Sequence, residues 1–502
     1  PWLGQDFFPQ GDAGQFKLHV RAHTGTRIED TAALCDRVDQ VIRETIPQKE
    51  LGTIIDNIGV PYSGINLTYN NSGTSGSWDD DTIVSLAKDH RPTEEYIRAL
   101  RTKLAHTFPG VTFYFLPTDI VNQILNFGLP APLDVQIIGP DIMANHALAE
   151  SMMSQLRGIP GAVDLHIQQS LDAPNMTVDV DRTKAQQVGL TQADVANSVL
   201  TALSGSFQTS PQFWLNWKSG VSYSIAVQEP QYRMDTMQDL TNIPVTGSSG
   251  APLQILSNLA TVHRGVEPGT ISHYDVMPVI DIYGSVDGTD LRSVANRVDG
   301  IVAQARKHVP RGSRIIVRGQ ILTMRSSTIG LLSGLLFAIG LVYLLIVVNF
   351  QSWMDPFVII AALPAALTGI VWFLFLTHTH ISVPALTGSI MCMGVATANS
   401  ILVVSFAREE MARGANAVEA AMVAGFTRFR PVLMTALAMI IGMLPMALGV
   451  GASGEQNAPL GRSVIGGLLF ATVATLFFVP VFFSLVHGRS KPLAESSEEQ
   501  SQ

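Results

Sequence analysis

Five long runs of apolar residues occupy the last third of the chain, and none of them contains Asp, Glu, Lys or Arg. A helix of about 20 apolar residues is long enough to cross the roughly 30 Å hydrocarbon layer of a membrane. Within lipid every backbone polar group has to be bonded inside its own segment, which favours helices over strands. The pattern therefore predicts five transmembrane helices, at 329–349, 356–376, 384–405, 431–450 and 463–486.

The links between these helices indicate their orientation. The segment 406–430 and the tail 487–502 carry several Arg and Lys residues, whereas the links on the opposite side hold only Arg462. Excess Lys and Arg marks the cytoplasmic side, so the C-terminus is predicted inside and everything before residue 329 outside. Because no export signal precedes this outer region, we expect the chain to be a fragment that follows an earlier membrane span.

Strand and helix patterns alternate through the outer region. The segment 15–22 (QFKLHVRA) alternates polar and apolar residues as half-buried strands do, and helical spacing follows it. Two units with the order β-α-β, β-α-β are predicted, which is a split βαβ or ferredoxin-like, α+β arrangement. The strands are expected at 15–22, 53–58, 81–86 and 111–116 in the first unit and at 133–138, 162–168, 278–283 and 314–318 in the second, with helices at 27–45, 91–106, 143–156 and 290–307.

Composition excludes several classes of function. A net charge of −9 and the lack of a basic stripe argue against nucleic-acid binding. The two cysteines, Cys35 and Cys392, are predicted on different sides of the membrane and cannot pair. The sequence has no nucleophile motif, phosphate loop or metal-ligand cluster with catalytic spacing, so we predict neither an enzyme nor a bound cofactor.

Two segments of the outer region have unusual composition. The stretch 59–80 is long and rich in Gly, Asn and Ser, and loops of this kind are commonly functional or disordered. Its apolar side chains suit a hydrophobic ligand, although an ordinary surface loop fits equally well; they are Tyr62, Ile65, Leu67 and Tyr69.

The second unusual segment, 205–217, is dense in aromatic residues and lies in an insert, 171–269, that interrupts the second unit. Such density is typical of either a small core or an exposed contact surface. We favour the core; its residues would be Phe207, Phe213, Trp214 and Trp217.

Three motifs carry a resemblance to a known family: FFPQGDAGQF at 7–16, RFRPVLMTALAMIIGMLPMALG at 428–449 and FFVPVFF at 477–483. They resemble permeases of the resistance-nodulation-division (RND) superfamily, and the chain is similar to the C-terminal half of such a permease. The resemblance implies a multi-pass protein of the bacterial inner membrane. Such a protein is a homotrimer that exports substrates with proton energy, through a periplasmic adaptor and an outer-membrane channel.

The resemblance also implies a division into domains. A first pore subdomain would span 12–117, a second 118–170 with 270–319, a docking subdomain 171–269 and a cytoplasmic tail 487–502. Substrate would enter the cleft between the pore subdomains, where the loop 59–80 divides the pockets of family members.

Proton coupling in this family implies further residues. Family members use two Asp on an earlier span with a Lys, an Arg and a Thr, and Arg428 and Thr435 match the last two. The Lys position falls on Ala398, beside Asn399, which can hydrogen-bond to a carboxylate but cannot carry charge. Asn399 is therefore either part of the proton relay or a polar contact between helices.

The choice of substrate is open between two classes. Phe113 and Phe115, with the apolar residues of the loop, favour a hydrophobic or amphiphilic compound. The alternative is a heavy-metal cation, for which the pair Met152–Met153 and the motif 378–380 (HTH) are weak indications. A rival class is a membrane-anchored secretion or assembly accessory with similar outer domains.

Overall fold

The computed structural model describes residues 3–9, 11–61, 72–126, 128–247, 252–450 and 454–488. The chain divides into two compact units, one formed by Pro1–Ser170 with Thr270–Gln502 and the other by Leu171–Gly269. The predicted α+β outer region and five long apolar helices are confirmed. The ends of the predicted elements shift by a few residues in most cases.

The first subdomain is an antiparallel sheet of four strands with two helices. Strand β1 buries Phe16, Leu18 and Val20 at alternate positions, because successive side chains of a strand point to opposite faces. The helices cover this apolar face. The elements are β1 (Gln15–Arg21), α1 (Ile28–Thr45), β2 (Leu51–Ile58), β3 (Asp79–Leu86), α2 (Thr93–Thr107) and β4 (Thr112–Leu116), with the strand order β2-β3-β1-β4.

The second subdomain repeats this plan with five antiparallel strands. Its core lies between the sheet and two helices, where Val135 and Ile137 pack with Met152 and Val298. The elements are α3 (Ile120–Leu125), β5 (Leu133–Ile138), α4 (Ile142–Leu156), β6 (Ala162–Ile167), β13 (Ser272–Tyr274), β14 (Met277–Val286), α9 (Leu291–Ala305) and β15 (Arg314–Gly319), with the order β13-β14-β5-β15 and β6 beside β14.

The unit Leu171–Gly269 has its own small core, built around Val195, Leu240 and Leu256. Its long antiparallel pair joins β7 (Ala173–Val180) to β12 (Ala260–Glu267). The other elements are α5 (Arg182–Gln187), α6 (Gln192–Ser204), the hairpin β8 (Gln212–Asn216) and β9 (Val221–Ile225), α7 (Met237–Thr241), β10 (Pro244–Val245), β11 (Gln254–Ile255) and α8 (Leu256–Leu259).

The aromatic hairpin contradicts the core predicted for segment 205–217. Phe213, Trp214 and Trp217 are 62%, 52% and 78% exposed. Phe207 is half-buried and meets the Phe213 ring edge to face at 5.5 Å. A two-stranded ribbon has no third strand or helix to cover its faces. The prediction of a small core was therefore wrong for Phe213, Trp214 and Trp217.

The membrane helices are longer than the apolar runs that predicted them. The second span is divided at Ala361 and Ala362, and the last contains a π-helical stretch at Ala474–Phe478. Arg462 lies inside a helix rather than in a link. The helices are α10 (Gln320–Phe350), α11 (Met354–Ile360), α12 (Leu363–Leu376), α13 (Val383–Ala412), α14 (Ala417–Ala447), α15 (Gly454–Val473) and α16 (Val479–His487).

The second sheet continues directly into the membrane. Strand β15 ends at Gly319 and α10 begins at the next residue, Gln320. Gly319 has a φ of 81°, and a Cβ atom there would lie 2.4 Å from the Pro132 carbonyl oxygen. The turn from strand to helix is therefore tight, and only glycine fits it.

Glycines allow α12 and α15 to touch at the backbone. A Cβ atom on Gly466 would lie 2.2 Å from Phe373 Cβ and 2.8 Å from the Gly369 carbonyl oxygen. By contrast, a Cβ atom on Gly330 or Gly334 of α10 meets no described atom within 4 Å. The Gly-x-x-x-Gly pattern of α10 thus makes no close approach within the described chain, although it is typical of helix contacts.

We predict that Gly466→Ala destabilises the helix bundle by about 1–3 kcal/mol, because the added methyl group has to displace backbone or ring atoms. Thermal unfolding of the intact protein in detergent measures the effect. Gly334→Ala is the matched control and should be neutral or slightly stabilising, since alanine is the better helix former. Equal destabilisation by both variants would contradict the packing described.

Candidate functional site

A cavity of about 480 Å³ lies where the first subdomain, the second subdomain and the outer ends of the membrane helices meet. The N-terminal segment, α2 and the end of β4 line one side of it. The turn after β14 and the start of α9 line the other side. Residues near the outward-facing ends of the membrane helices close the base of the cavity.

Carboxyl groups outnumber basic groups around this cavity. Two arginines and one histidine, Arg98, Arg101 and His380, are its basic lining residues. Clefts lined by one sign of charge concentrate ions of the opposite sign, so the lining favours cations. The carboxyl groups belong to Asp6, Asp12, Glu94, Asp119, Asp164, Asp287 and Glu455.

Arg101 connects the two subdomains at the edge of the cavity. Its guanidinium group donates to Asp164 in a bidentate pair, at 3.0 and 2.8 Å, and to Asp287 at 2.7 Å. Arg98 donates to the same Asp287 at 2.7 Å. Burial nevertheless raises the pKa of Asp164, against the opposing effect of Arg101. Charge-assisted bidentate pairs of this kind are strong and geometrically specific.

The pKa values of other lining groups are also shifted, upward for Glu94 and His380 and downward for Asp12. Burial, and then the nearby Asp287 carboxylate, raise the pKa of Glu94. Although burial opposes it, hydrogen bonds from Thr93 hold the pKa of Asp12 below its usual value. At the base, Asp6 accepts a hydrogen bond from His380 at 2.5 Å, and this bond raises the pKa of the histidine.

A buried polar seam lies on the face of the first sheet opposite its helices. His19 has both ring nitrogens against carboxylates, with Nδ1 2.8 Å from Asp81 and Nε2 3.3 Å from Asp79. Arg21 donates to Asp79 at 2.8 Å. Burial works in the opposite direction, but the His19 hydrogen bond and the Arg21 charge hold the pKa of Asp79 well below its usual range. The seam is therefore a paired, charged network rather than an apolar core.

Stacked rings carry the seam across to the second sheet. Tyr114 of β4 stacks on His19 with ring centroids 4.5 Å apart, and on His166 of β6 at 3.6 Å. Burial lowers the pKa of His166 to about 3, so this imidazole is neutral at physiological pH. Arg21 also donates to the backbone carbonyl of Gln168, at 3.2 Å.

The predicted cleft residues have mixed outcomes. Tyr62, Ile65, Leu67 and Tyr69 lie outside the described residues. The register pairs Phe113 with Val20 and Phe115 with Leu18, so both phenylalanines belong to the face that the helices cover. Phe115 nevertheless lines the cavity, beneath Arg101, whereas Phe113 packs at a tilted angle against Phe108.

The predicted proton-relay residues lie on two neighbouring helices. Asn399 of α13 is buried, and its side-chain oxygen lies 3.4 Å from the Thr435 hydroxyl of α14, which also donates to the Val432 carbonyl at 2.9 Å. Arg428 lies over the Phe406 ring at 5.0 Å, and its Nε has no hydrogen-bond partner in the described chain. The structure thus brings Asn399 and Thr435 together, while Arg428 lies nearer to the inner end of α14.

Sequence analysis missed the seam and the carboxylates of the cavity. One signal was available: the run Asp79-Asp80-Asp81 opens β3, and alternation has to bury at least one of these charges. Among the described residues, no group of three or more His, Cys, Asp and Glu is arranged to hold a metal ion in this conformation. The acidic cavity and the seam are therefore sites of charge, without a preformed coordination shell.

We predict that His166 makes the protein sensitive to acid. Its pKa is about 3 when folded and about 6.5 when unfolded, so below pH 6.5 the unfolded chain takes up a proton that the folded chain refuses. The free energy of unfolding should fall more steeply as the pH drops below 6.5, towards about 1.4 kcal/mol per pH unit, and by about 1.7 kcal/mol between pH 6.5 and 5.

His166→Phe keeps the ring stack and should remove this part of the loss of stability in acid. Thermal or denaturant unfolding across pH measures the effect. His23→Phe, at an exposed position, is the control and should leave the acid loss unchanged. If His166→Phe shows the wild-type slope between pH 6.5 and 5, the histidine does not supply it.

Comparisons with known proteins give the family. The model of the AcrB/AcrD/AcrF family matches residues 1–487. Cobalt-zinc-cadmium resistance protein CzcA of Cupriavidus metallidurans is 27% identical over 509 residues, which cover 100% of this chain and 47% of that protein. Cation efflux system protein CzcA of an Alcaligenes species is 26% identical over 517 residues, with the same coverage of 100% and 47%. This chain thus spans about half the length of these curated relatives.

Solved structures agree on the fold. A crystal structure of a heavy metal efflux pump, in its crystal form II, matches with a TM-score of 0.79 at 24% identity, covering 97% of this chain and 48% of that one. Crystal form I gives a TM-score of 0.78 at 25% identity, with the same coverage. The predicted RND resemblance is confirmed: the chain belongs to the AcrB/AcrD/AcrF family.

Proposed function

We propose that this chain is the C-terminal half of an inner-membrane permease that exports divalent heavy-metal cations. The acid-lined cavity is the observation that carries the proposal, because it attracts cations to the junction of the two subdomains. The relatives, named for resistance to cobalt, zinc and cadmium and for cation efflux, support it. They favour the metal alternative over the hydrophobic or amphiphilic substrate that Phe113 and Phe115 led us to expect.

The side chains of the cavity suit a particular class of metal. Carboxylates and an imidazole line it, and its described lining contains neither Met nor Cys. Such donors suit divalent ions, whereas soft monovalent ions prefer thiolate and thioether sulfur. Met152 and Met153 are 1% and 5% exposed and belong to the core of the second subdomain, so they support no methionine site.

The remaining parts of the permease follow the family plan. We propose that the two subdomains are the pore subdomains, that the unit Leu171–Gly269 is the docking subdomain, and that the protein works as a homotrimer with a periplasmic adaptor and an outer-membrane channel. The exposed hairpin side chains Phe213, Trp214 and Trp217 support a contact surface on this unit, since clustered exposed aromatic residues are typical of interfaces.

Proton coupling is proposed to involve α13 and α14. The buried Asn399 and its contact with Thr435 support a polar track between these helices, and the unpartnered Arg428 Nε supports an anionic or polar partner beyond the described chain. An ionisable or strongly polar group in the apolar layer is costly and usually functional. Ala398 removes the Lys of the family pattern, so Arg428 is the cation available to face carboxylates.

Metal transport by the intact protein in proteoliposomes tests the substrate class. We expect Zn²⁺ or Co²⁺ to move under a proton gradient, and Glu94→Gln to lower the rate at subsaturating metal by about fivefold. The reason is that one carboxylate–cation attraction of about 1 kcal/mol is lost. Glu95→Gln is the matched control, because Glu95 is the exposed neighbour that does not line the cavity.

Two outcomes of this experiment would contradict the proposal. One is proton-driven export of a hydrophobic dye without movement of any divalent metal. The other is equal metal transport by the Glu94 and Glu95 variants and the wild-type protein, which would remove the cavity from the path.

A second experiment tests the coupling residues. We expect Arg428→Ala and Asn399→Ala to lower proton-driven transport by about tenfold, equivalent to about 1.4 kcal/mol, because each removes a polar partner from the membrane interior. Ser405→Ala is the control, since its hydroxyl donates within its own helix, to the Leu402 carbonyl at 3.3 Å. Wild-type transport by both variants would exclude the two residues from coupling.

A further inference from the structure

Four side-chain oxygen atoms that have no hydrogen-bond partner among the described residues lie together on one face of the second sheet. They are both carboxylate oxygens of Asp134, Oε1 of Gln136 and Oδ1 of Asp281. The three residues are 0%, 6% and 4% exposed. Buried polar atoms are nearly always bonded, so a group of four unbonded acceptors needs an explanation.

Strand register brings these residues to the same spot. Gln136 of β5 pairs with Asp281 of β14, and Asp134 pairs with Arg318 of β15. Directly paired residues of antiparallel strands have their side chains on one face, and here it is the face opposite α4 and α9. Gln169 closes the group, since it donates to Asp281 Oδ2 at 2.7 Å and to Ser272 Oγ at 3.1 Å.

The charges of the group do not balance. Arg318 supplies one positive charge beside two carboxylates, which leaves one negative charge in excess. Its guanidinium group stacks on Tyr274, 3.9 Å from the ring centroid, and its Nε lacks a hydrogen-bond partner in the described chain. The arginine therefore faces the ring instead of bonding to Asp134. An uncompensated buried charge is costly, so one further positive charge is required.

We propose that Asp134, Gln136 and Asp281 bind one monovalent metal cation of the size of Na⁺. Oxygen-only donors suit hard cations. A single positive charge neutralises the group, whereas a divalent ion would leave it positive. The cation connects β5 to β14 beneath Gln169 and Ser272. These two residues lie where the chain leaves this subdomain for the unit Leu171–Gly269 and where it returns. This site is separate from the acidic cavity and does not depend on the proposed export of heavy metals.

A proton is the competing occupant. Burial, and then the neighbouring Asp281 carboxylate, raise the pKa of Asp134 well above its usual value. A single proton, however, provides one donor and satisfies one acceptor, while a metal ion contacts several oxygens at once. Sodium dependence in weakly alkaline solution, where protons compete least, distinguishes the two.

Thermal unfolding of the intact detergent-purified protein tests the site, in sodium chloride and in choline chloride at equal ionic strength. Ligands that bind only the folded state raise the midpoint, so we expect a higher midpoint in sodium. Asp134→Asn should abolish this sodium-specific increment. Asp299→Asn, at a surface residue that pairs with Arg325, should retain it. Equal midpoints of the wild-type protein in both salts, or stabilisation by acid alone, would overturn the proposal.

A second measurement needs no variant. Crystals of the intact protein grown in sodium chloride should show, at high resolution, an electron-density peak between Asp134 and Asp281 that contacts several of their oxygens at once. A map that resolves these side chains without such a peak would overturn the assignment.

Discussion

The outer part of this protein depends on a joint between two sheets that is polar rather than apolar. In each sheet the apolar face is used up by its own helices, so the faces that remain carry His19, Asp79, Asp81 and Arg21 on one side and His166 on the other. Ring stacking through Tyr114 and the ion pairs of Arg101 connect them. Polar contacts can exchange with water when surfaces separate, whereas a buried apolar face loses its full burial energy. The joint is thus held by directional contacts rather than by apolar burial.

The membrane region follows a different physical rule. Where α12 and α15 meet, glycine lets the two backbones touch. Along α13, 50% of the most apolar stretch is buried inside the described chain. The corresponding stretches of α10 and α14 are only 11% buried within the described chain. Because lipid supplies no hydrophobic force between helices, packing and polar contacts decide which faces associate. The contact between Asn399 and Thr435 joins these two situations, because Asn399 is buried on α13 whereas Thr435 lies on the sparsely covered α14.

Periodicity was enough to predict the elements but not their partners. The strand at 133–138 and the five apolar helices follow from local pattern, since both periods are visible in one segment. The segment VTFYFL shows the limit: alternation places Phe113 and Phe115 on one face and Tyr114 on the other, but every residue there is bulky, so the pattern cannot decide which face meets helices. The core prediction for the hairpin around Trp214 was wrong for a related reason, because a core and a contact surface can have the same density of aromatic residues. The stack of Tyr114 with His166 joins two subdomains, and no local signal encodes that docking.

The direct passage from β15 into α10 couples the second sheet to the bilayer itself. Gly319 lies between Pro132 and the first turn of the helix, so no flexible linker separates the sheet from α10 and a change in helix angle reaches the strand directly. Transmembrane helices adjust their tilt to the thickness of the surrounding lipid. A bilayer thickness that altered the tilt of α10 would therefore act directly on the second sheet, so the lipid around this helix is mechanically connected to the strands that follow Pro132.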